Sequence, residues 1–171
     1  MRNLTATLCL ILFVLLDVTG CAKRTADFQK GISDFQTGSA AYKSGVYATA
    51  LRIWTPLAEQ GYAGAQYNLG QMYRLGQGVP QDYKTAVKWY KLAAERGNSG
   101  AQTNLGWMYS NGQGVIQDYV RAHMWWNIAA SSGHKNAVKN RDIVAKRMTP
   151  ARIEDAQKLA RECVRKKYKG C

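Results

Sequence analysis

Gly64-Ala65-Gln66-Tyr67-Asn68-Leu69-Gly70-Gln71-Met72-Tyr73 returns 36 residues later as Gly100-Ala101-Gln102-Thr103-Asn104-Leu105-Gly106-Trp107-Met108-Tyr109. The same offset carries Gly76-Gln77-Gly78-Val79 onto Gly112-Gln113-Gly114-Val115, and Gln81-Asp82-Tyr83 onto Gln117-Asp118-Tyr119. It continues through Ala86, Trp89, Ala93, Ala94 and Gly97, which map onto Ala122, Trp125, Ala129, Ala130 and Gly133. A fixed period of about 20–50 residues marks a solenoid, in which each unit buries its apolar face against its neighbours. Such an architecture offers a binding surface rather than an active-site cavity. The repeat does not name what is bound.

Each unit reads as two antiparallel helices. Ala65, Leu69, Met72 and Tyr73 recur at helical spacing, as do Ala101, Leu105, Met108 and Tyr109. Gly70 and Gly106 lie inside these helices, where glycine costs about 1 kcal/mol relative to alanine, so a second chain segment is expected close by. Gly76-x-Gly78-Val79-Pro80 ends the first helix and forms an extended turn. The second helix is expected from Asp82 to Arg96, burying Ala86, Trp89, Tyr90 and Ala93 before Gly97 stops it. Its copy, Asp118 to Ser132, carries Trp125 and Trp126 at the matching places.

A degenerate unit precedes these, over 26–62. Tyr47, Ala50, Ile53, Trp54, Leu57, Ala58 and Gly61 match Tyr83, Ala86, Trp89, Tyr90, Ala93, Ala94 and Gly97. Its first helix, Ala26 to Ser44, lacks the Leu-Gly pair and takes its apolar stripe from Phe28, Ile32 and Phe35. After His134 the pattern changes. One helix runs to about Arg147, then Thr149 and Pro150 open a second with Ile153, Ala156, Leu159, Ala160 and Cys163 on one face. This pair, over 135–171, reads as a cap on the last repeat's core.

The combined pattern of Ala-x-x-x-Leu-Gly-x-Met-Tyr, Gly-x-Gly-Val-x-x-Asp-Tyr and Ala-x-x-Trp-x-x-x-Ala-Ala-x-x-Gly resembles the Sel-1-like repeat, a relative of the tetratricopeptide repeat. Full copies fall at 63–98 and 99–134. The resemblance implies an all-α, right-handed solenoid of helix pairs, a role in protein–protein interaction and no cofactor. By analogy with tetratricopeptide repeats, first helices line a concave face. Tyr67, Asn68, Gln71 and Arg74, then Thr103, Asn104, Trp107 and Ser110, are the candidate binding residues there. Asn68 and Asn104 could bond an extended peptide or only bridge adjacent helices, and both readings stay open.

The first twenty residues read as an export signal. Arg2 is followed by an apolar run from Leu4 to Leu16, too short for a spanning helix of about 20 apolar residues. Val18-Thr19-Gly20-Cys21 resembles a bacterial lipobox, with Cys21 as the lipidation site and 21–25 as a tether. The alternative is an ordinary signal cleaved after Ala22, giving a soluble periplasmic or secreted protein. A lipid anchor at Cys21 implies membrane attachment in the bacterial envelope. Ala22 after Cys21 resembles outer-membrane sorting, facing the periplasm. With Cys9 and Cys21 removed or modified, Cys163 and Cys171 remain as a candidate disulfide pair in an oxidising compartment. Two free thiols are the alternative, and no nearby histidine completes a zinc set.

The formal charge of +13 is concentrated near the end, where 135–171 hold 12 Lys/Arg against 4 Asp/Glu. Export argues against nucleic acid as the partner. Anionic envelope polymer or lipid is the alternative to a merely solvated face.

Little chemistry is proposed by the remaining residues. Gly76-x-Gly78 and Gly112-x-Gly114 follow no strand and precede no Gly-Lys-Ser/Thr, so they are turns rather than phosphate loops. His123 and His134 stand outside any triad motif. Glu59 and Glu95 share a phase with Ser131, which suits solvated charges. Trp54, Trp89, Trp125 and Trp126 fall at packing phases. The expectation is a non-enzymatic adaptor that binds a protein or peptide, with an anionic-polymer binder as the alternative. A hydrolase of the cysteine-rich β-lactamase type ranks last, because those relatives carry a cysteine pair in each repeat and this chain has none there.

Overall fold

The computed structural model describes residues 4–171, with side chains described for residue 23 and residues 25–171. Among the described residues eight helices follow one another: α1 (Leu4–Lys43), α2 (Tyr47–Glu59), α3 (Ala63–Leu75), α4 (Tyr83–Ala94), α5 (Ser99–Asn111), α6 (Tyr119–Ser131), α7 (Lys135–Ala145) and α8 (Pro150–Arg165). There is no strand among the described residues. Helices pair as α1/α2, α3/α4 and α5/α6, and each second helix packs on the first helix of the next pair. This is the expected α-solenoid. The side chains of the apolar leader and of Cys21 lie outside the described residues, and 21–25, expected as a tether, continue the helix α1. Among the described residues, no helix is long and apolar enough to cross a membrane.

The repeated residues each have a local task. Gly76 and Gly112 close their helices in the left-handed conformation, at φ 69° and 67°. Gly78, at φ 73°, lies against the start of α2, and an added Cβ would stand 2.7 Å from the Tyr47 Cβ. The turn is therefore also a contact between repeats, and glycine alone fits it. In the Gln-Asp-Tyr triplet, Gln81 Nε2 donates to the Arg74 carbonyl at 2.8 Å, and Gln117 Nε2 to that of Ser110 at 2.8 Å. Asp82 and Asp118 are N-caps, accepting from Lys84 and Thr85 and from Val120 and Arg121. Gln66 and Gln102 are buried, and their Nε2 atoms donate to the Ala58 and Ala94 carbonyls near the preceding helix ends.

The mid-helix glycines accommodate a ring from the second helix. An added Cβ would stand 2.6 Å from the Tyr90 ring at Gly70 and 2.5 Å from Trp126 Nε1 at Gly106. In the degenerate unit the same place is taken by Gly38 against Trp54. Its register is four residues displaced because the Lys43-Ser44-Gly45 turn is shorter. This corrects the expected stripe of α1: Phe28 and Ile32 are 58% and 37% exposed, while Gly31, Phe35 and Gly38 face the neighbouring helices. Small residues receive large partners here, so counting apolar side chains misplaces the buried face. Trp54, Trp125 and Trp126 are buried as expected, whereas Trp89 is only half-buried, packed against the core that Trp54, Leu57, Leu69 and Met72 form.

At the C-terminus, α7 packs on α6 as a further first helix would. α8 turns back onto α6 as well, instead of pairing with α7. Ala156, Ala160 and Cys163 are its buried residues, and Leu159 is exposed. Cys163 and Cys171 are disulfide-bonded, with their Cα atoms 5.7 Å apart. The bridge closes a loop in which Lys167 and Tyr168 hold positive φ of 52° and 66°, and the Tyr168 ring rests by Gly97.

Candidate functional site: the first-helix face

The face formed by α3 and α5 gathers five of the eight candidate residues into one connected group. Gln71 Oε1 is its hub. It accepts from the Tyr90 hydroxyl at 2.6 Å, from Arg74 Nη2 at 3.0 Å and Nε at 3.1 Å, and from Asn104 Nδ2 at 3.3 Å. Its Nε2 donates to the Tyr67 hydroxyl at 3.2 Å. The Arg74 guanidinium lies over the Trp107 ring, 5.6 Å from its centroid. A carbonyl oxygen has two lone pairs, so four donors exceed its capacity for strong bonds. Asn104 makes the longest of the four, and its side chain also hydrogen-bonds Tyr90.

The remaining candidates separate. Ser110 donates to the Trp107 carbonyl at 2.9 Å and borders a cleft beyond Trp107. Asn68 is half-buried, and its side chain has no hydrogen bond to the described residues. Thr103 leaves the set: it is only 8% exposed, and its hydroxyl donates to the Ser99 carbonyl at 2.8 Å and meets His134 Nδ1 at 3.2 Å. It shares a phase with Tyr67, but Trp126 Nε1 donates to its carbonyl at 3.0 Å and the α6–α7 turn covers it.

Tyr90 was hidden from sequence reasoning because it belongs to the core: its ring is buried, yet its hydroxyl emerges into the cluster. Burial pushes this phenol well above the usual tyrosine range, so it stays a donor. Arg74 opposes that shift from nearby.

A cleft of about 180 Å³ continues the face toward α7. Trp126 and Val144 are its buried floor; Trp107, Tyr119 and Ile143 wall it. Asn111, Asn140 and Arg147 add polar groups. The 36-residue offset could have found part of this, since it carries Asn68 and Asn104 onto Asn140, and Ala101 and Met108 onto Ala137 and Val144. Among the described residues there is no cluster of three or more His, Cys, Asp or Glu able to hold a metal. His123 is buried in packing, and burial and then Arg141 lower its pKa.

Stacked helix pairs presenting a polar and aromatic first-helix face define a protein of the helical-repeat solenoid class. Residues 63–98 and 99–134 each match the family model of the Sel1 repeat, and repeats of this family typically form protein-interaction scaffolds. Among solved structures, the chain is similar to c5321, a protective antigen present in uropathogenic Escherichia coli strains that displays an SLR fold. The TM-score is 0.76 at 28% identity, over 81% of this chain and 31% of that one. It is also similar to a Sel1 repeat protein from Oxalobacter formigenes, with a TM-score of 0.61 at 34% identity, over 63% of this chain and 44% of that one. The chain thus spans less than half the length of either. Comparison with curated protein sequences gives no match.

Proposed function

We propose that this chain is a non-enzymatic adaptor of the bacterial envelope, anchored through Cys21, which binds a protein or peptide on the face of α3, α5 and α7. The observation that carries the reading is the half-buried polar cluster of Gln71, Arg74, Asn104 and the Tyr90 hydroxyl beside Trp107, in which the Gln71 carbonyl takes more donors than its lone pairs can satisfy. Extended peptides bind such grooves through side-chain pockets and backbone hydrogen bonds. A photocrosslinking residue at Ser110 should capture one discrete protein adduct in the native envelope, absent with the probe at the exposed Lys88 of α4. Equal labelling at both positions contradicts the reading.

A second reading has its own support. Among the described residues, no α8 cation is in an ion pair, and Lys158, Arg161 and Arg165 border one cleft together with a single acid, Glu162. Binding of anionic polymer or lipid there should fall steeply with added salt. Retention that ignores salt counts against it.

A further inference from the structure

We infer that the cleft between α5 and α7 takes an internal segment of a partner protein in which one large aliphatic or aromatic residue is flanked on both sides by aspartate or glutamate. This deepens the reading that the first-helix face binds protein, and it rests on that reading.

Size and lining set the central residue. The cleft measures about 180 Å³. A dry cavity of about 150 Å³ is large enough for benzene, so one large side chain fills this one. Trp107, Trp126 and Val144 offer it apolar surface, and Ile143 stands 47% exposed at the wall. The buried residues of α7 are Ala137 and Val144, and Ile143 is not among them. Covering it needs an apolar group from outside.

Charge sets the flanks. The lining contains Arg147 and no acid. Asp142, next to Ile143, is paired with Arg141 at 2.8 Å. Arg74 comes from α3 and covers the Trp107 ring, while Arg147 follows α7; the two helices lie on opposite sides of α5 in the stack. Arg147 thus lines the cleft itself, and Arg74, bonded to Gln71 and Tyr90, stands beyond Trp107 on the α3 side. A single terminal carboxylate could meet only one of them, whereas acids before and after an apolar residue meet both. Asn140, whose side chain has no hydrogen bond to the described residues, stands in the lining where the backbone of such a segment would pass.

The probe is a short fluorescent peptide, amidated at its C-terminus and acetylated at its N-terminus, with leucine at the centre and two acids on each side. Anisotropy against the whole exported chain should give saturable binding. Serine in place of leucine should weaken it about tenfold or more, the loss expected for an unburied leucine side chain. Asparagine and glutamine in place of the acids should weaken it similarly. Ile143→Ser and Arg147→Gln, both at exposed positions, should reduce binding without moving the thermal transition. Arg165→Gln with Lys166→Gln on the cap should leave it unchanged. Equal binding of the leucine and serine peptides overturns the inference, as does a loss confined to the cap variant, which assigns the acids to α8. If crosslinking from Ser110 captures a partner whose contact segment lacks this pattern, the face stands and the inference fails. Tighter binding to anionic vesicles than to the peptide, abolished by Arg147→Gln, replaces the protein segment with a membrane surface.

Discussion

Arg74 of one repeat lies across the Trp107 ring of the next, with its carbon 5.6 Å from the ring centroid. The first-helix face is thus tied together between repeats, and the tie leaves one side of the indole turned toward the cleft. Gln71 Oε1 accepts from two nitrogens of the guanidinium and so fixes its position. A double-mutant cycle on Arg74→Ala and Trp107→Ala should give a coupling of about 0.5–1 kcal/mol in urea unfolding. Strict additivity contradicts the contact. Lysine at 74 should not restore it, because the compact ammonium cannot both stack and make the paired bonds.

Alanine at Gly70 or Gly106 should destabilise, although helix propensity alone favours it by about 1 kcal/mol. The added methyl meets the Tyr90 ring or Trp126 Nε1 within 2.6 Å, in a place where both rings are buried. A loss of about 1–3 kcal/mol is expected from overpacking, read from the denaturant midpoint. A gain in stability shows that the rings have room to move away.

Reduction of the Cys163–Cys171 bridge should cost about 2–3 kcal/mol for a loop of this size. Lys167 and Tyr168 hold left-handed φ, which non-glycine residues adopt at a cost and which ring closure helps to impose. Hydrogen exchange should therefore accelerate over 166–171 and leave α5 and α6 unchanged. Exchange rising throughout α6 contradicts a purely terminal role.

His123 supplies the pH dependence near neutrality. Burial and then Arg141 lower its pKa, with Asp142 opposing them. The unfolded chain thus takes up a proton more readily than the folded one. Its contribution is fully present above the ordinary histidine value of about 6.5 and is lost as pH falls through the lowered one. His123→Leu should flatten the stability profile just below pH 6.5, while wild type declines there. Parallel profiles mean that another group is responsible.

The helix pairs, the turns and the caps were legible because Gly-x-Gly, Gln-Asp-Tyr and the alanine phases recur at one offset. Gly38 was harder, since a shorter turn shifts its register and conceals its equivalence to Gly70. The face was legible in part. A repeat phase says which side of a helix a residue occupies, and it placed Gln71, Arg74, Asn104 and Trp107 together. It does not say what a neighbouring element covers, so Thr103, under the α6–α7 turn, was wrongly exposed, and the Tyr90 hydroxyl was not expected to emerge. Asn140 escaped because α7 keeps the repeat phase without its glycines. That α8 returns to α6 depends on a connection whose direction no periodicity encodes.

The most direct test is hydrogen exchange on the full chain with and without the protein crosslinked from Ser110. The account predicts protection concentrated over 104–111 and 140–147, with the exposed sides of α4 and α8 unchanged. Protection confined to α8 and 166–171, with none on α5 or α7, contradicts it.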